Sequence, residues 1–154
     1  MNKIIITNKI QDRKISGKVK KIVEIVLKIL KQKDIQLDVY LVNDKEMKKI
    51  NAKFRDKNKA TNVLSFSEPK FFPHPEFGDQ TSDVRGQRLR FRYLGELYLA
   101  PNYIQQKKED MKLMVVHGIL HLLGYTHTRK SDIIRMEKAE KKLLKEISHQ
   151  NESE

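Results

Sequence analysis

The sequence contains no cysteine. Disulfides and thiolate metal sites are therefore excluded, and any bound metal must rely on histidine or carboxylate side chains. Long apolar runs are missing too: no segment approaches the ~20 residues of a membrane span, and the start, MNKIIITNKIQDRK, is too short in apolar residues for a signal peptide. These absences predict a soluble, cytoplasmic protein with no membrane role. Acidic residues are scarce, 20 against 32 lysines and arginines, which leaves a net charge of +12 and a pI near 9.8. Such an excess favours a polyanionic partner such as nucleic acid, and it is equally the mark of a lysine-rich, solubilising surface. Proline is sparse, and three of the four prolines crowd one segment as Pro69, Pro73 and Pro75. There is no internal repeat and no low-complexity tract.

At 154 residues the chain suits one domain, and 38% apolar content suffices for a single core. β-Branched residues fill KIIIT, residues 3–7, as in a first strand. From Ser16, read as an N-cap, Val19, Ile22, Val23, Val26 and Leu30 recur at helical spacing. Ile35, Leu37, Val39 and Leu41 alternate as in a half-buried strand. Asn43 with Glu46 resembles a capping box opening a short helix that carries Met47, Ile50 and Phe54 and ends in the charged loop RDKNKA. VLSFS, residues 63–67, and YLGELYLA, residues 93–100, read as the third and fourth strands. Pro101 opens a helical turn, and a longer helix from about Glu109 turns Met111, Met114, Val115, Ile119 and Leu122 inward. Ser131 is read as the cap of a last helix bearing Ile133, Met136, Leu143, Leu144 and Ile147. Residues 68–92 read as a long loop that holds His74 and finishes with Arg85, Arg88, Arg90 and Arg92. The domain is predicted over residues 1–148, with 149–154 a frayed polar tail.

HGILHLLGYTH, residues 117–127, holds three of the five histidines. On a helix, residues four apart are separated by about 40° and about 6 Å, so His117 and His121 can aim at one ion. Gly124 can end that helix in the left-handed conformation and let the reversed chain bring His127 to the same point. Three imidazoles suit one zinc ion, and an open fourth position is what separates a catalytic site from a structural one. The spacing is that of the zinc peptidase motif HExxHxxGxxH, except that Gly118 stands where the general-base glutamate belongs. That substitution argues against peptide hydrolysis. Metal-assisted phosphodiester cleavage needs no such glutamate, because it depends on neutralising phosphate charge and placing a nucleophile. Gly118 leaves room at the ion or lets another element pack closely, and the spacing alone does not choose.

Four segments together resemble the YbeY endoribonuclease family of bacterial ribosomal RNA maturation factors. HGILHLLGYTH is similar to the family pattern HGxLHLxGYDH, FRDKNKATNVLSFS to FRxKxKxTDVLSFP, LGELYLA to the LGDIxI segment, and MEKAEKKLL to M-E-x-x-E. The resemblance implies an α+β fold, a single domain with a small mixed sheet of about four strands flanked by helices and a three-histidine metal site at a helix end. It implies one Zn²⁺ on His117, His121 and His127, with His117, His121 and Arg55 as the catalytic residues. It further implies a single-strand-directed endoribonuclease acting on ribosomal RNA precursors, the 3′ end of the small-subunit RNA foremost, and serving in late ribosome quality control. The implied partners are RNA, ribosomal particles, ribosomal proteins and assembly GTPases. Thr126, Asn62 and Glu96 each stand where the family has aspartate. The alternative is a non-catalytic, zinc-stabilised RNA-binding assembly factor, whose mark would be a fourth protein ligand, with Glu96 the candidate. A metallohydrolase of small phosphoesters or amides is the other rival.

Overall fold

The structure, a computed structural model, describes residues 1–67 and 91–152. Apart from Arg92 and its neighbour, the expected loop 68–92, with His74, Arg85, Arg88 and Arg90, lies outside the described residues. In chain order the elements are β1 (Lys3–Asn8), α1 (Arg13–Ile29), β2 (Ile35–Leu41), α2 (Asp44–Arg55), β3 (Val63–Ser67), β4 (Arg92–Leu99), α3 (Pro101–Gln106), α4 (Met111–Leu122) and α5 (Lys130–Glu152). The four strands form one mixed sheet in the order β1-β2-β4-β3. β2 is parallel to β1 and to β4, while β3 runs antiparallel along β4 as the edge strand next to the functional site. The fold is thus the expected α+β arrangement, with α1 as the crossover that a parallel β1–β2 pair requires.

The period-two pattern of β2 is realised along its whole length: Ile35, Leu37, Val39 and Leu41 are fully buried and the residues between them are half-buried. They face the same layer as Leu97 and Leu99 of β4, and α1, α4 and α5 pack over that layer through Val19, Val23, Val26, Val115, Ile119, Met136 and Ile147. α4 is apolar nearly all round and buries most of its residues, as a helix enclosed between a sheet and other helices must. Met47 of α2 joins Val42, Leu64 and Ala100 in a smaller cluster with Tyr40, Ile50, Phe66 and Tyr98 packed against it. The rings of Tyr40 and Tyr98 stack there with centroids 4.6 Å apart.

Local signals hold where one side chain decides. Asn43 caps α2, accepting the Glu46 N–H at 2.8 Å, and Asp44, Glu46, Lys53 and Arg55 complement the helix dipole. Two caps differ from the sequence reading. α1 begins a turn earlier than Ser16 because the Asp12 carboxylate accepts the Ile15 N–H at 3.1 Å, and Asn8 braces Asp12 through its own amide. α5 begins at Lys130, and the Ile133 N–H donates to the Arg129 carbonyl, so Ser131 lies inside the first turn rather than capping it. α5 continues through Glu152, so the helix runs past residue 148. Ile133, one of the apolar residues of this helix, is exposed.

Gly95 fixes how closely β3, β4 and α4 meet. Its φ of 145° is glycine territory, and a Cβ there would strike the Phe66 carbonyl and lie 2.9 Å from Leu122. The β2–β4 register shifts beside it, a bulge that lets the end of α4 sit against the edge of the sheet.

Candidate metal centre

α4 carries His117 and His121 on one face, and its end brings in the third imidazole. Leu123 is the C-cap, Gly124 has φ 104°, the Gly124 N–H donates to the His121 carbonyl and the Tyr125 N–H to the Leu120 carbonyl. This is the paired hydrogen bonding of a Schellman motif, and it reverses the chain within three residues of His127. The reversal the glycine predicts is therefore present.

The three Nε2 atoms converge. His121 Nε2 lies 3.0 Å from His117 Nε2 and 2.7 Å from His127 Nε2, and the remaining pair is 3.3 Å apart. Zn–N bonds of about 2.0–2.1 Å in a tetrahedron separate the ligating nitrogens by about 3.3 Å, so the cluster has the dimensions of a three-imidazole metal site. The outward nitrogens fix the tautomers. His117 Nδ1 is 2.8 Å from Glu140 Oε1 and His121 Nδ1 is 2.9 Å from the Tyr125 carbonyl. Both partners are acceptors, so each Nδ1 carries the proton and each Nε2 turns a lone pair inward. Lone pairs this close repel one another unless a cation lies between them. Burial, and then the neighbouring His117 and His127, hold the His121 pKa below its ordinary 6.5, which keeps the ring neutral and able to ligate. Among the described residues, the group able to hold a metal ion consists of His117, His121 and His127.

Arg55 stands at the same site. Although it ends α2, more than sixty residues before the histidines in sequence, it lines one cleft of about 510 Å³ with all three of them, together with Ser65, Ser67, Tyr125 and Thr126. Its Nη2 donates to the Ser65 carbonyl at 3.0 Å and its guanidinium lies 5.2 Å from the Phe66 ring centroid. One hydrogen bond is thereby used, and among the described residues the other guanidinium donors meet no second acceptor. The basic loop behind it is pinned by Asn51, a buried polar residue whose amide donates to the Lys59 carbonyl at 2.8 Å and whose own carbonyl accepts the Lys57 N–H.

Two points that the sequence leaves open are decided here. Glu96 is not a ligand: it faces the other side of β4 from Leu97, receives the Tyr98 hydroxyl at 3.2 Å and lies outside the histidine group. Gly118 does not leave room at the ion. Its missing side chain faces the sheet, where a Cβ would collide with Leu97 and come within 3.2 Å of Ser65 and Val63, so the position serves close packing. The Ser65 hydroxyl donates to its carbonyl at 3.0 Å across that contact. Asn62 retains what an aspartate would supply, since its oxygen accepts the Val63 N–H at 2.7 Å while its amide donates to Glu109 at 2.7 Å.

Glu140 was not singled out from sequence, although the M-E-x-x-E segment contains it; its role depends on α5 crossing His117. Glu140→Ala is expected to weaken metal binding roughly 10- to 100-fold, and Glu140→Gln, which keeps an acceptor oxygen, should recover most of the loss. Competition with a chromophoric chelator measures both, and wild-type affinity in Glu140→Ala would end the assignment.

A mixed sheet backed by helices, with three convergent imidazoles and an arginine around an open cleft, defines a protein with a site that could hold a metal ion. The chain belongs to the endoribonuclease YbeY family, whose model matches residues 3–148. It is 33% identical over 138 residues to the endoribonuclease YbeY of Persephonella marina, covering 84% of this chain and 81% of that protein. It is 38% identical over 113 residues to that of Bartonella henselae, covering 73% and 68%. The solution structure of TM1509 from Thermotoga maritima aligns with a TM-score of 0.48 at 22% identity, covering 100% of this chain and 96% of that one.

Proposed function

We propose that this chain is a zinc-dependent, single-strand-directed endoribonuclease that processes ribosomal RNA precursors in the cytoplasm, with the 3′ end of the small-subunit RNA its foremost substrate. The observation that carries the reading is one open cleft shared by Arg55 and the three inward-facing histidine nitrogens. His117, His121 and His127 would hold the ion. When bound there, zinc supplies Lewis acidity toward a phosphoryl oxygen and toward an attacking oxygen. Arg55 grips a non-bridging phosphate oxygen pair and offsets charge that grows in the transition state, with its other face steadied by Phe66. The surrounding excess of cations draws in the polyanion. Position 118, aimed into the sheet, offers no general base for acyl chemistry.

The test is cleavage of an end-labelled small-subunit 3′ precursor by metal-loaded wild type, Arg55→Ala and Arg55→Lys. Arg55→Ala should lower kcat/KM by roughly 10²- to 10³-fold at unchanged metal content. Lysine should restore only part of this, because a point charge cannot bridge two oxygens. Arg55→Ala cutting at the wild-type rate would remove Arg55 from the reaction. A metal-loaded wild type that binds the RNA yet cuts neither it nor ribosomal particles would overturn the nuclease reading itself.

A further inference from the structure

Phe54 departs from the pattern of its helix. Helical spacing puts it on one face with Met47 and Ile50, yet Met47 is fully buried while Phe54 is 58% exposed. The ring is nevertheless held. It leans on Phe66 with centroids 5.3 Å apart and planes at 59°, so one side is supported while much of the ring stays open to solvent. Lys53 places its ammonium 5.2 Å from the Phe54 centroid, and Arg55 places its guanidinium 5.2 Å from the centroid of the same Phe66. Lys57 and Lys59 are exposed on the adjoining loop, which Asn51 ties down. An exposed phenyl ring with Lys53 against it and Arg55, Lys57 and Lys59 following in the chain is a poor seat for an apolar protein surface, which would have to bury such charges unpaired. It is a good seat for a ligand that carries both an aromatic plane and negative charge.

We infer that Phe54 is the stacking platform for an unpaired RNA base adjoining the phosphate that Arg55 grips. This rests on the nuclease reading above and names a subsite for its substrate. Phe66 supports both groups, so the distance between base platform and phosphate grip is set by one half-buried ring rather than by two independent side chains. Every base has a π-face, so the platform tolerates any sequence, and Lys53, Lys57 and Lys59 hold the flanking phosphates equally without sequence preference. A base inside a duplex is already stacked and paired, and it reaches Phe54 only if it is first splayed out. Selection for single strands then comes from Phe54, whereas the metal site and Arg55 read only the backbone.

The chain has no tryptophan, so Phe54→Trp introduces a single fluorescent reporter at the platform. The experiment titrates this variant, in a His121→Ala background that does not consume the RNA, with a short single-stranded oligonucleotide, its blunt duplex, and an abasic strand of equal length. The single strand should quench the tryptophan, while the duplex and the abasic strand leave it bright. In parallel, Phe54→Ala in the same His121→Ala background should bind the single strand roughly 5- to 150-fold more weakly than its parent and bind duplex and abasic strands as the parent does. Unquenched tryptophan together with unchanged affinity in Phe54→Ala overturns the platform. The two readings fail separately: quenching by single strands in a protein whose wild type never cuts supports the platform and removes the nuclease. Cleavage by wild type without quenching or loss of affinity does the reverse.

Discussion

Replacing His121 by alanine is expected to abolish RNA cleavage and strip the metal, a loss well beyond the roughly 10- to 100-fold that removing an outer partner of a ligand costs. His121 is the middle member of the group: its Nε2 lies within 3.0 Å of both others, and the His117–His127 pair is the longest of the three at 3.3 Å. Two imidazoles left at that distance make a weak divalent site. Metal content by elemental mass spectrometry, read beside cleavage of an end-labelled precursor, checks this. Stoichiometric metal with wild-type cutting in His121→Ala would remove the histidine cluster from the mechanism. The same residue sets a pH dependence. Burial and its histidine neighbours hold its pKa below the ordinary 6.5, so in acid the unfolded chain takes up this proton more readily than the folded one. Stability of the metal-free protein should therefore fall as pH drops through that ordinary value, and it is fully retained above it. Urea melts of the metal-free protein at a series of pH values report the slope, and His121→Ala should flatten it.

Gly118→Glu, which would rebuild the peptidase motif, is expected to unfold the domain rather than confer proteolysis. The new side chain would point from α4 into Leu97, Ser65 and Val63, placing a carboxylate between helix and sheet where the nearest described atoms belong to these three uncharged side chains. Displacing packed side chains and burying an unpaired charge together should cost about 4 kcal/mol or more, a large share of the stability of a domain this size. Gly118→Ala separates the two effects. Its Cβ meets the flexible end of Leu97 first, so a smaller loss of about 1–3 kcal/mol is expected. Denaturant midpoints followed by circular dichroism measure both, and a Gly118→Glu protein as stable as wild type would contradict the packing described here.

The three-histidine motif lacking its glutamate thus has a steric answer in addition to a chemical one. The chemical part was legible: without the glutamate, acyl transfer loses its proton carrier, and a basic chain points to phosphate instead. The steric part was not, because the neighbours of Gly118 come from β3 and β4, distant in sequence. The caps divide in the same way. Asn43 is legible because a cap acts over three residues, whereas the reading of Ser16 misses the cap at Asp12, whose brace from Asn8 reaches across a turn that periodicity does not describe.

The amino-acid sequence by itself determined the strands, the helical span that bears His117 and His121, the reversal at Gly124 and the family, because each depends on spacing along the chain or on a short motif. Tertiary structure alone decided that Arg55 shares the cleft, that Glu140 orients His117, that Glu96 faces the opposite side of the sheet and that Phe54 stands exposed. The physical reason is that spacing fixes the direction of a side chain within its own element. What that side chain meets is set by how β3, α2 and α5 pack around the end of α4, and that packing is written in contacts between residues far apart in sequence.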